Sequence, residues 1–288
     1  MSGPVEIRQV TPSLCRLRRG LKDYVGAIFC DHGRAWRAAI GNQRTKCAPT
    51  EKRMNLGEIE QSLREAGLTP RGAFHPAAGD DLPPLAAQTP ARTLVLAGHA
   101  GPRMWRAFDA ARAGGAMTLD EWSARVLSEL AARLGARAVF PFERPYLPFQ
   151  RWALRAEACH PSPLGLLIHP DYGLWHGYRG ALLFAAAIAL PPPERRASPC
   201  ASCADRPCLS ACPAGAFDAA GYDIAACARH LACMPEPACM DSGCLARQAC
   251  PVGRDYRYAP AQARFHMQAF RLNHVQAGDR KAGKTQRT

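Results

Sequence analysis

CASCADRPCLSACPAGA, from Cys200 to Ala216, sets Cys200, Cys203, Cys208 and Cys212 within a short run, and Pro213 follows the last of them. A second run, CMDSGCLARQACPVG from Cys239 to Gly253, places Cys239, Cys244 and Cys250 and again closes on Cys-Pro. A tight loop lets three thiolates converge on one inorganic core while a fourth, one turn further on, points elsewhere. In two-cluster ferredoxins that last cysteine before proline serves the other cluster. The two Cys-Pro closures therefore read as a crossed pair. Cys200, Cys203 and Cys208 are expected to share one [4Fe–4S] core with Cys250, and Cys239 and Cys244 to share the other with Cys212. One further thiolate completes the second set, and both Cys227 and Cys233 offer it.

Zinc is the competing metal, because four cysteines of this window could hold it. Zinc ribbons, however, pair two CxxC halves across a dozen or more residues instead of crowding four cysteines together. A zinc-stabilised binding module stands as the non-redox alternative. The N-terminus, MSGPVEIRQV, has no basic region, apolar run or small-residue cleavage site, so a cytoplasmic location is expected. In that reducing compartment clustered cysteines point to metal before disulfides. An oxidised cluster with four thiolates carries about two negative charges. Arg206, Arg229, Arg247 and Arg254, with the backbone amides of Ala201, Ser202, Ala211, Ala214 and Gly215, are expected to offset them.

Outward from the cysteines, PPPERRASP (Pro191–Pro199) stiffens the backbone and bars a continuing helix. It divides an α/β domain (1–190) from a cluster domain (191–260), with a basic C-terminal tail (261–288) beyond. TLVLAG (Thr93–Gly98) reads as a strand, and MWRAFDAARAGG as a helix closed by Gly114 and Gly115. Thr118 with Glu121 forms a capping box, and Leu119, Trp122, Val126, Leu130 and Leu134 share one face of the helix that Gly135 ends. ARAVF (Ala136–Phe140) and LGLLIHP (Leu164–Pro170) read as further strands. The order strand, helix, strand predicts a layered α/β domain with at least part of its sheet parallel. The fold class expected is α+β, an α/β layered domain followed by a ferredoxin-like dicluster domain.

With 288 residues, 48% of them hydrophobic, the chain has ample material for a core, and a disordered or fibrous reading is excluded. The apolar stretch Ala181–Leu190 is too short to span a bilayer. A net charge of +13 raises a nucleic-acid partner, but the arginines are scattered and the one compact basic tract is Arg280–Arg287, which reads as a frayed end. Nucleic-acid binding is thus not favoured. The outlying Cys15, Cys30, Cys47 and Cys159 read as buried free thiols. His99 reads as structural, and His169, Tyr172, Trp175 and His176 as core before cofactor pocket.

GLLIHPDYGLWHGYRGALLF (Gly165–Phe184), the Pro-rich link, CASCADRPCLSACPAGAF, YDIAAC (Tyr222–Cys227) and the last Cys-Pro motif together resemble the C-terminal half of the epoxyqueuosine reductase family. The resemblance runs from about Leu164 to Gly253. It implies two [4Fe–4S] clusters in a ferredoxin-like domain that feed electrons to a cobalamin held by the preceding α/β domain, with a modified tRNA base as substrate. It also selects Cys227 over Cys233, because the family places an isolated ligand just after such a tyrosine. The family's acidic proton donor, an Asp, has no counterpart between Glu121 and Pro170. Glu143, in FPFERPYLPF, does not match its motif, so no catalytic residue is assigned.

The function expected is ferredoxin-type electron transfer through two [4Fe–4S] clusters, with a redox partner protein. The enzyme alternative is a cobalamin-dependent reductase of a small molecule or a tRNA.

Overall fold

The computed structural model describes residues 54–113, 115–218, 221–234 and 238–285. Cys15, Cys30, Cys47 and the N-terminal decapeptide lie outside the described residues. The order begins α1 (Leu56–Glu65), β1 (Thr69–Phe74), β2 (Thr93–Ala100), α2 (Arg103–Ala111), α3 (Leu119–Leu134), β3 (Arg137–Val139) and α4 (Phe149–Ala156). A small pair, β4 (His160–Pro161) and β5 (Leu167–Ile168), precedes the long β6 (His176–Phe184). The cysteine region holds α5 (Pro207–Ser210), β7 (Phe217–Asp218), β8 (Gly221–Tyr222), α6 (Ile224–Cys233), α7 (Ala238–Ser242) and α8 (Leu245–Ala249). A last helix, α9 (Pro260–Thr285), follows.

The main sheet has the order β1-β2-β6-β3, and every pair in it is antiparallel. This overturns the expected parallel sheet. The apolar run TLVLAG reads as unbroken because both faces of β2 are covered, a pattern usual for parallel sheets but set by burial and not by strand direction. Val95 and Ala97 face one core with Ile59, Met104, Phe108 and Trp122 of α1, α2 and α3. Leu94 and Leu96 face the other, against Phe149 and Trp152 of α4. Each large side chain so buried is worth roughly 2–5 kcal/mol against truncation to alanine.

Helix α3 has the expected ends. Thr118 and Glu121 exchange their capping bonds, and Gly135 closes the helix at φ 62°. The apolar residues Ala181–Phe184 form the second half of the central strand β6, where the sequence predicts no strand. LGLLIHP, expected as a core strand, contributes only the two-residue β5 beside β4. The segment after residue 260, expected as a tail, begins as α9, which packs along α6 and α7. Phe265 of α9 reaches Trp105 and Phe108 of α2, with ring centroids 5.2 and 5.5 Å apart. No helix among the described residues is long and apolar enough to cross a membrane.

Two glycines join the sheet region to the cysteine region. Gly173 and Gly253 have φ of 57° and 70°. A Cβ on Gly173 would sit 2.1 Å from the Val252 carbonyl oxygen, and one on Gly253 2.3 Å from the Tyr172 carbonyl. The turn before β6 thus presses backbone to backbone on the loop just after Cys250-Pro251, a contact that admits glycine alone.

Candidate metal centre

Pro207 opens α5, and Arg206 before it takes a left-handed conformation at φ 40°. That bend folds the loop of Cys200 and Cys203 back toward Cys208 on the helix. Cys250, at the C-terminal end of α8, completes the group: these four line one narrow cleft with Pro199, Pro207 and Pro251. Burial pushes the thiols of Cys200, Cys208 and Cys250 above their ordinary range, and negative charge on neighbouring sulfurs of the set pushes them further. Arg206 opposes the rise at Cys200, and Arg254 and Arg257 oppose it at Cys250.

The second group is gathered from four separate elements. Cys212 follows α5, Cys227 lies on α6, Cys239 on α7, and Cys244 caps α8. They line a cavity of about 250 Å³ whose far side is closed by His266, Met267 and Phe270 of α9. Burial again leads the upward shift of Cys227, Cys239 and Cys244, and each also feels the charge of Cys212. Tyr222 bonds through its hydroxyl to the Cys227 sulfur, which works against the rise there. Cys233, at the end of α6, is exposed and lines neither space.

Several backbone amides reach the cysteine sulfurs. Ala216 donates to Cys212 Sγ at 3.5 Å. Leu209, Leu245, Arg247 and Val252 donate to Cys208, Cys239, Cys244 and Cys250. Leu245 and Arg247 lie in the first turn of α8 and Val252 just past its end, where backbone N–H groups lack intrahelical partners. Of the arginines, Arg206 lines the first cleft and Arg247 the second cavity, while Arg229 is exposed on α6.

The donor chemistry decides what these groups can hold. Four soft sulfurs suit zinc or an iron–sulfur core. Tetrahedral zinc, with Zn–S near 2.3 Å, sets its sulfurs about 3.8 Å apart. Among the described residues no three of these sulfurs lie within 4.8 Å of one another. Four thiolates in each group suit either a tetrahedral zinc or an iron–sulfur core.

Elsewhere, donor atoms of Glu157, Cys159 and His176 lie within 4.8 Å of one another. They form a buried hydrogen-bond network around Arg71. Arg71, fully buried, binds both carboxylate oxygens of Glu157 at 3.0 and 2.6 Å and His176 Nδ1 at 3.0 Å. Burial pushes the Cys159 thiol up to about 12 and holds His176 down to about 2. Cys159 is the buried free thiol expected. Glu157 was passed over in the sequence; Arg71, eighty-six positions away, is the partner that makes it a core residue. His99 is buried and meets the Tyr258 hydroxyl at 2.6 Å, in keeping with a structural role.

No family model and no curated protein matches the chain. Three solved structures show a weak likeness. One is an epoxyqueuosine reductase crystallised with an epoxyqueuosine-modified tRNA-Tyr stem loop, at 16% identity, covering 70% of this chain and 66% of that one, with a TM-score of 0.42. Another is the epoxyqueuosine reductase of Bacillus subtilis with its catalytic loop swung out of the active site, at 15% identity, covering 72% and 69%, with a TM-score of 0.42. The third, from Streptococcus thermophilus, has 16% identity, covers 73% and 70%, and has a TM-score of 0.43. This chain spans about two thirds of the length of these relatives.

Proposed function

We propose that the protein transfers electrons through two [4Fe–4S] clusters, one held by Cys200, Cys203, Cys208 and Cys250, the other by Cys212, Cys227, Cys239 and Cys244. The observation that carries this reading is the exchange of ligands between motifs: Cys212 of the first run lines the second cavity, and Cys250 of the second run lines the first cleft. Such a cluster takes up and releases a single electron, at a potential its surroundings set. The chain supplies the thiolates, the amide donors and the burial. Helix α8 carries Cys244 at one end and Cys250 at the other, so one turn of backbone couples the two sites. Residues 191–260 bear the ligands, and the preceding α/β region and α9 close around them to face a redox partner.

The crowding of four cysteines into residues 200–212, closed on Cys-Pro, favours an iron–sulfur core over a zinc ribbon. A corrinoid-dependent reductase is the second reading: a space of about 700 Å³ lies against Cys159 and the Pro-rich link, and one of about 270 Å³ borders the second cysteine group. Anaerobically purified protein should be brown and give an iron–sulfur electron paramagnetic resonance signal once reduced, and added cobalamin should keep its free spectrum. Colourless protein containing zinc would overturn the proposal; a shifted corrinoid spectrum would turn it toward the reductase.

A further inference from the structure

Where the end of β2 passes into α2, an open cavity of about 490 Å³ lies beside the joint made by Gly173 and Gly253. Arg103 and Arg106 of α2 line it, together with Tyr172, Asp255 and Tyr256. Residues three apart on a helix share a face, so the two guanidiniums stand side by side. Both side chains are exposed, and among the described residues neither makes a hydrogen bond or an ion pair. Other surface arginines of the sheet region, Arg112 and Arg151 among them, hold carboxylates. Asp255 borders the same space and pairs with neither Arg103 nor Arg106. Like charges at this spacing repel, so the pair is an unmet double positive charge that an anion would relieve.

The rest of the cavity defines that anion. A guanidinium presents a planar fork of N–H donors that matches the oxygens of a phosphate or a carboxylate. Two forks on one face suit two negative charges, and a phosphomonoester carries nearly two near neutral pH. The volume falls within the roughly 300–1,000 Å³ of small-molecule sites, more than inorganic phosphate fills, so the anion carries an organic part. Tyr172 and Tyr256 stand edge to face with ring centroids 4.8 Å apart and give that part an aromatic wall. The Asp255 carboxylate repels phosphate and accepts hydrogen bonds from hydroxyl groups, which sets the phosphate at the arginines and a sugar toward Asp255.

We infer that this cavity binds a mononucleotide, its phosphate on Arg103 and Arg106, its ring against the tyrosines and its sugar hydroxyls toward Asp255. The inference uses none of the cysteines and stands apart from the cluster reading.

Calorimetric titration of anaerobically purified full-length protein with adenosine monophosphate and flavin mononucleotide tests it, with adenosine and riboflavin as the phosphate-free counterparts. At least one nucleotide should saturate a single site, and its counterpart should bind at least tenfold more weakly. Which of the two binds identifies the ring. The double variant Arg103→Ala/Arg106→Ala should weaken that binding at least tenfold with an unchanged Tm, since both side chains are exposed and unpaired. Arg133→Ala, at an exposed arginine of α3 outside the cavity, should bind as the parent does. Absence of binding by both nucleotides, or unchanged binding in the double variant, overturns the proposal. An equal loss in Arg133→Ala overturns it as well, because the attraction would then belong to the net charge of +13 and not to the site. Nucleotide binding by protein that contains no iron would leave this proposal standing while sinking the cluster reading. Iron-loaded protein that binds neither nucleotide would sink this proposal alone.

Discussion

The two cysteine sites differ in how they are built. The first takes Cys200, Cys203 and Cys208 from one loop and short helix and borrows only Cys250 from afar, within a cleft framed by prolines. The second draws one cysteine from each of four elements and depends on α9 to close it. Chain connectivity holds the first together, whereas tertiary packing holds the second. The first should therefore tolerate loosening of the surrounding helices better than the second does, and each should respond to its own set of substitutions.

The sharpest way to break this comparison is to remove the exchanged ligand. Cys212→Ala lies in the first motif yet should empty the second site, reducing bound iron by about half and leaving the first cluster's spectrum in place. Iron analysis with electron paramagnetic resonance of the reduced variant reads this directly, and loss of the first cluster instead would show that the ligands are not crossed.

Next in size is the joint between the sheet and the first site. Gly253→Ala adds a Cβ 2.3 Å from the Tyr172 carbonyl at a left-handed position. Strain of that kind costs on the order of 1–3 kcal/mol, before the neighbouring backbone is displaced. Thermal unfolding should show a clear fall in Tm with preferential loss of the first cluster. A variant as stable as the parent would mean that the contact does not position Cys250.

A smaller effect follows from the buried imidazoles of the sheet region. Burial holds His99 well below its ordinary range and His176 at about 2, so both stay neutral in the folded protein. Their stabilisation is complete above the unfolded value near 6.5. It is lost as pH falls below that value, because only the unfolded chain then takes up protons, at about 1.4 kcal/mol per pH unit for each histidine. Denaturant unfolding at pH 7.5 and 5.5 should show this decline, and His99→Gln should flatten it. An equal slope in the variant would remove His99 from the account.

The smallest effect separates the two proposed clusters. Tyr222 donates to the Cys227 sulfur, and donors to cluster sulfurs favour the reduced state. Tyr222→Phe should lower the potential of the second cluster and leave that of the first unchanged, as read by potentiometric titration followed by electron paramagnetic resonance. Equal shifts in both clusters would point to a general loosening.

Legibility in the sequence followed the range of the interactions. Helix α3 announced itself because its cap, apolar face and terminal glycine are all local. The grouping of Cys200, Cys203 and Cys208 depended on a short loop. The direction of the strands was not legible, since burial of both faces produces the same apolar run in either topology. Strand β6 was hidden because His176, Tyr178 and Arg179 interrupt its apolar pattern, and their partners Arg71, Glu157 and Asp120 lie far away in the chain. For the same reason Glu157 gave no local signal. The choice of Cys227 over Cys233 came from a family resemblance and not from spacing.

The central claim is a pair of four-iron centres, and the direct test is the iron and acid-labile sulfide content of the anaerobically purified protein. Two clusters require about eight irons and eight sulfides per chain. A chain that binds zinc without sulfide, or no metal at all, would contradict it.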